Sequence, residues 1–121
     1  VDYSAEDENI SMRVVENDFS LIQLSGIRRP IGKSISEEPF FEVKFKVNTS
    51  DRIVLFSDGF ADQIGGDFKK KLKKGELLSL LLKSTNKPVK DQIIFMKEQF
   101  ETWKGDMEQV DDVCLLIVEV A

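Results

Sequence analysis

The sequence predicts an α+β fold in which an antiparallel β-sheet of about five or six strands carries two helices on one face. Three observations support this prediction. Short strand-like segments fill the first half of the 121 residues, two segments with helical periodicity follow, and an apolar run closes the chain. The length and the lack of a linker-like segment indicate one domain over residues 1–121.

The first half of the chain is typical of strands joined by turns. Residues 10–16 and 19–25 predict a hairpin, because the Asn-Asp pair at 17–18 favours a tight turn. Residues 1–5 are a further candidate strand. The segment 26–32 contains two glycines and a proline, which predict an irregular loop.

Three other segments differ in how their apolar residues are arranged. Residues 40–47 alternate apolar and charged side chains, which predicts a strand with one solvated face. A turn is expected at 48–51. Residues 52–56 and 113–120 are apolar without alternation, so both predict strands that are covered on two faces. Cys114 lies inside the second of these runs and is expected to be buried.

Two segments in the second half predict helices. Residues 74–84 are leucine-rich and form the first. Pro88 suits the first turn of the next helix, and Gly105 marks its end. Between them, apolar residues recur at spacings of three and four and predict one buried face on the sheet. These residues are Val89, Ile93, Met96, Phe100 and Trp103.

Composition argues against several classes of function. The 22 acidic and 17 basic residues give a net charge of −5, which is atypical of a nucleic-acid-binding protein. The lysine run at 69–74 is the one candidate anion patch, for which a solvated loop or helix start is the more ordinary explanation. Neither a membrane span nor a signal peptide is recognisable. With its single cysteine, the sequence indicates a cytoplasmic protein without a membrane partner.

The sequence contains no histidine, and its acidic residues are therefore the main candidates for chemistry. Asp58-Gly59 directly follows the segment 52–56, and Asp111-Asp112 precedes 113–120. If these strands pair antiparallel, the carboxylates meet at one edge of the sheet, where a cation would relieve their repulsion. Oxygen ligands favour Mg²⁺, Mn²⁺ or Ca²⁺. An ordinary Asp-Gly turn and a solvated acidic pair remain the alternative.

Two motifs resemble those of a known family. The segments LFSDGFADQIGG (55–66) and WKGDMEQVDDVCLLIV (103–118) are similar to the C-terminal part of the metal-dependent, PPM-type serine/threonine phosphatases. They most resemble the bacterial SpoIIE-like branch, in the form attached to sensor and repeat-containing signalling proteins. RRPIG (28–32) also fits this branch. The resemblance implies the αββα sandwich fold of these phosphatases, of which this chain would be the C-terminal portion.

The resemblance also assigns residues to a two-metal centre. Asp58 and Asp111 match carboxylate ligands, and no catalytic residue is implied beyond the metal ligands. Gly59 matches the glycine that lets the backbone turn beside the metal. Asp62 matches an acid that acts through water. Asp112 is next to these ligands, at a position where some relatives carry an amide. Two Mn²⁺ or Mg²⁺ ions would activate a water that attacks a phosphoserine or phosphothreonine of a phosphoprotein substrate.

The sequence departs from this family in one important respect. The family's domain is roughly twice as long, and its first half carries another Asp-Gly motif whose aspartate bridges both metals. Asp58-Gly59 is the one Asp-Gly pair in this chain. The chain is therefore expected to be a fragment that is inactive alone, with upstream sensor or repeat domains in its parent. The alternatives are a catalytically silent regulatory module and an unrelated α+β domain. Uncovered apolar strands further predict a homodimer.

Overall fold

A computed structural model describes residues 10–16, 19–26, 31–32, 39–40, 42 and 44–121. The chain divides into two compact units, Val1–Asn48 and Thr49–Ala121. The expectation of one domain over 1–121 stays a prediction. Among the described residues, no helix is long and apolar enough to cross a membrane.

The first unit contains an antiparallel hairpin of strands β1 (Ile10–Glu16) and β2 (Phe19–Leu24). This confirms the predicted hairpin, although its turn at 17–18 lies outside the described residues, as does the candidate strand at 1–5. The predicted strand over 40–47 is not found in its described part, where Lys46 forms only an isolated bridge.

The second unit begins with strand β3 (Arg52–Phe56), which pairs antiparallel with the closing strand β6 (Leu115–Glu119). A single helical turn, α1 (Gly59–Asp62), follows β3. It leads into a small hairpin of β4 (Ile64–Gly65) and β5 (Lys70–Lys71).

Two helices complete this unit, α2 (Lys74–Ser84) and α3 (Val89–Lys104). Both match their predicted spans to within one residue, and Gly105 ends α3 with a positive φ of 53°. Helix α3 packs against β6, β4 and α2, and α2 also packs against α1. The mixed architecture of helices and small antiparallel sheets confirms the predicted fold class. The described residues nevertheless form three two-stranded ladders rather than one larger sheet.

The buried face of α3 differs in part from the predicted stripe. Met96 and Phe100 are buried as expected, but Ile93 is exposed, and Gln92 takes the inward position one residue earlier. Gln92 is buried because its polar atoms are all paired: its amide donates to the carbonyl of Leu81 and to the hydroxyl of Ser84, both at 3.1 Å.

Arg52 supplies the remaining partner of this buried amide. Its guanidinium donates to the side-chain oxygen of Gln92 at 2.8 Å and to the carbonyl of Lys87. It also forms an ion pair at 3.0 Å with Glu119, its cross-strand neighbour. One arginine thereby ties the β3–β6 ladder to the start of α3, and this polar network replaces the apolar contact that the periodicity predicted.

The outer face of the β3–β6 ladder is exposed, so the predicted cover on both faces is not found within the described part of this chain. Ile53 faces Val118 and Leu55 faces Leu116 across the two strands, and all four side chains are exposed, Leu55 to 61%. Cys114 is also exposed, contrary to expectation. The absence of alternating apolar and polar residues in these strands therefore indicates two apolar faces. Only the face that packs against α3 is covered.

Candidate metal centre

The pairing of β3 with β6 brings the two acidic motifs to one end of the ladder. The last pair in register is Phe56 with Leu115, and the pairing continues one residue further, where the Ser57 amide donates to the Cys114 carbonyl at 3.0 Å. The Ser57 hydroxyl accepts from the Cys114 amide at 2.9 Å and donates to the Asp112 carbonyl at 3.3 Å. These bonds hold residues 112–114 beside Ser57, the residue before Asp58.

Gly59 lies where these two segments approach most closely. A Cβ built on it would overlap the Asp112 carbonyl oxygen and lie 2.9 Å from its carbonyl carbon and 3.3 Å from a Val113 methyl group. Only glycine leaves room for the backbone of Asp112 against the start of α1. The role predicted for this glycine, a backbone turn beside the metal, stays a prediction.

The four candidate acids differ in how their carboxylates are bound. Asp58 precedes α1 and is exposed, and its side chain makes no capping hydrogen bond. The Asp111 carboxylate accepts a hydrogen bond of 2.7 Å from the backbone amide of Asp112. Asp111 and Asp112 are both exposed residues. Asp62 forms a 3.7 Å ion pair with Lys71. No partner of the Asp58 carboxylate is found among the described residues, whereas the carboxylate of Asp62 has a basic partner, Lys71.

The carboxylates of these residues are the right type of ligand for a hard divalent cation, but too few of them lie together. Carboxylates are the ligands that Mg²⁺ and Mn²⁺ prefer. However, within the described part of the chain no group of three or more His, Cys, Asp or Glu residues is arranged to hold a metal ion. The chain brings the Asp58 and Asp111 segments together, and direct bridging of the two by one cation stays a prediction.

Sequence reasoning missed the residue that holds the acidic loop in place, Gln63. This side chain is fully buried and follows α1 directly. Its amide nitrogen donates to the carbonyls of Ile64 at 2.9 Å and Glu108 at 2.8 Å, and its oxygen accepts from the Val110 amide at 3.4 Å. A glutamine between an acidic turn and two glycines gives no hydrophobic signal, so only the structure identifies it.

Replacing Gln63 with methionine should loosen residues 108–112. The change conserves volume but removes the donor to two part-buried carbonyls and the acceptor of the Val110 amide, at a cost of about 1–3 kcal/mol in unfolding free energy. Amide hydrogen exchange at Val110 should accelerate more than in the rest of the unit. The matched control is Gln99→Met on α3, whose side chain makes no hydrogen bond within the described part of the chain. Equal stability and equal exchange in both variants would contradict this role.

Comparison with known proteins identifies the family and supports the fold. The sequence model of the Stage II sporulation protein E (SpoIIE) family matches residues 7–121. The chain belongs to the SpoIIE family. Its fold also matches the solved structure of the SiaA-PP2C domain of Pseudomonas aeruginosa with a TM-score of 0.72 and 22% sequence identity. No protein with a curated function matches the sequence.

The structural match extends over 84% of this chain but only 39% of the SiaA-PP2C chain. The resemblance to the SpoIIE family that the motifs indicated is therefore confirmed. At this level of identity the structural neighbour demonstrates the fold alone.

Proposed function

We propose that this chain is the part of a metal-dependent protein serine/threonine phosphatase domain that supplies Asp58 and Asp111 to a two-metal centre. The observation that carries the proposal is the β3–β6 pairing, which fixes the Asp112 backbone against Gly59 and places both acidic motifs at one end of the ladder. Membership of the SpoIIE family supports the choice of reaction.

In this proposal the residues of the chain would bind the metal ions and hold the ligand carboxylates in position. Asp58 offers a carboxylate without a competing capping bond, and the 2.7 Å bond from the Asp112 amide orients one oxygen of Asp111. Ser57 and Gln63 hold the backbone that carries these acids. When bound, Mn²⁺ or Mg²⁺ would activate water and neutralise phosphate charge. Asp62 would act through water, since Lys71 already pairs with it.

A catalytically silent regulatory module is the second candidate. It is favoured by one observation: the described residues do not assemble three metal-binding side chains. An Asp-Gly motif after an apolar strand in the natural protein upstream of Val1 would favour the phosphatase. Hydrolysis of a phosphoserine peptide by this chain alone would contradict the proposal that its site is partial.

Several expectations about the surroundings of the chain stay predictions. They comprise a phosphoprotein substrate, upstream sensor or repeat domains in the parent protein, and a cytoplasmic location. A homodimer also stays a prediction; its physical basis is the exposed apolar face of Ile53, Leu55, Leu116 and Val118.

Weak Mn²⁺ binding at the predicted ligands is the direct test of this site. In a two-dimensional NMR titration, substoichiometric Mn²⁺ should broaden the amide signals around 57–60 and 110–113 before others, and Asp58→Asn should remove this selective broadening. Asp67→Asn, which changes an exposed acid by the same chemistry, is the control and should leave it intact. Broadening that is centred on other acidic residues, or that survives Asp58→Asn, would contradict the site. Tight stoichiometric binding would contradict the expectation that it is incomplete.

A further inference from the structure

The small hairpin that follows α1 carries a concentration of positive charge that the proposed chemistry does not use. We call residues 64–74 the basic hairpin; they contain five lysines and one aspartate, in a chain of net charge −5. The lysines are all exposed. One of them, Lys71, pairs with Asp62, and the other four have no acidic partner among the described residues. These four are Lys69, Lys70, Lys73 and Lys74.

The basic hairpin also exposes an aromatic side chain. Phe68 lies in its turn and is 84% exposed. The ammonium of Lys70 lies 5.8 Å from the centre of this ring. An exposed aromatic residue beside unpaired lysines offers a partner both apolar contact and positive charge.

The backbone of the basic hairpin is held in a fixed, strained form. Lys69 and Lys73 have positive φ angles of 51° and 76°, which cost side-chain-bearing residues about 1 kcal/mol or more each. Tertiary bonds maintain them: the Lys73 amide donates to the Ala61 carbonyl at 2.8 Å, and that of Leu72 donates to Gln63 at 3.0 Å. The lysines therefore project from a hydrogen-bonded hairpin rather than from a loop without such bonds.

This support is continuous with the candidate metal centre. Ala61, which anchors Lys73, lies on the helical turn that begins immediately after Asp58. The basic hairpin is thus joined through α1 to the segment that carries Asp58. This connection is the reason to relate its positive charge to a substrate that binds at the candidate metal centre.

We propose that the basic hairpin is a docking surface for an acidic protein segment, and that such a segment flanks the phosphorylated residue in the substrate. The second part rests on the proposed phosphatase function. Charge complementarity favours a short acidic peptide over an extended polyanion such as a membrane or nucleic acid. A membrane or a nucleic acid would also be repelled by the acidic residues elsewhere in this chain. A short peptide can bind the lysines alone, because charges beyond about 8 Å are largely screened.

Fluorescence anisotropy with a labelled peptide tests the proposal on the 121-residue chain without metal or hydrolysis. The probe is a serine flanked by glutamates, and its counterpart carries glutamines instead. The glutamate peptide should bind and the glutamine peptide should not, and binding should weaken as salt is raised from about 50 to about 300 mM. The double variant Lys70→Glu/Lys74→Glu should reduce affinity by about tenfold or more.

The matched control is Lys83→Glu/Lys97→Glu, which changes net charge equally on exposed helix positions. It should retain most of the affinity. Equal losses in both double variants, or no binding of the glutamate peptide, would overturn the proposal, as would binding to phosphatidylserine vesicles without binding to the peptide. Circular dichroism melting confirms that each variant folds. If the peptide binds but the complete natural protein hydrolyses no phosphoserine peptide, the proposed function fails and the docking surface stands.

Discussion

Replacing Gly65 with alanine should destabilise the second unit by about 3 kcal/mol or more. A Cβ at this position would overlap the carbonyl oxygen of Trp103 and lie 2.6 Å from its carbonyl carbon and 2.9 Å from the indole Cδ1. Most of the obstruction is backbone, so no side-chain rotation relieves it. The loss should appear in urea unfolding followed by circular dichroism.

The surrounding bonds explain why the backbone cannot move away. The amide of Gly66 donates to the Trp103 carbonyl at 3.0 Å, and the indole of Trp103 donates to the Gln63 carbonyl at 2.9 Å. A shift that accommodates the methyl group breaks both. Gly75→Ala is the matched control, because a Cβ there meets nothing within 4 Å and α2 favours alanine by up to about 1 kcal/mol. Similar unfolding midpoints for the two variants would refute the proposed close packing.

The sequence was sufficient to predict those elements of the fold in which local sequence signals and tertiary packing agree. Helices α2 and α3 combine apolar periodicity with stop signals such as Gly105, and β3 was predicted with its observed bounds. The alignment of the two acidic motifs followed from one inference, that their strands pair antiparallel. That pairing is confirmed, and it places Asp58 and the Asp112 backbone at the same end of the ladder.

The remaining features depend on contacts that no local pattern encodes. Strand β4 contains only two residues and is held on either side by Trp103, which bonds to Gln63, 40 positions away, and to Gly66. Gln92 replaces Ile93 on the inner face of α3 because Arg52 and Ser84 satisfy its amide. Exposure of Cys114 could not be predicted either, since this residue directly precedes β6 in an apolar run of which only one face is packed.

Truncation of Phe100 to alanine should cost about 3–5 kcal/mol, a large share of the 5–15 kcal/mol by which a typical domain is stable. Phe100 is 5% exposed, and its ring centre lies 5.1 Å from that of Phe60 at an angle of 52°. This tilted arrangement contributes beyond the area buried. Deletion of the ring removes that contact and leaves a cavity beneath α1.

The same substitution should affect the candidate metal centre, because Phe60 is the second residue of α1 and follows Gly59 directly. Loss of its partner frees the turn that positions Asp58, so amide exchange in 59–62 should accelerate together with the fall in stability. Phe68→Ala is the control for aromatic truncation, since this ring is 84% exposed, and its effect should stay within about 0.5 kcal/mol. If Phe100→Ala were as stable as this control, the contact between α3 and α1 could not be what holds Asp58 at the end of the β3–β6 ladder.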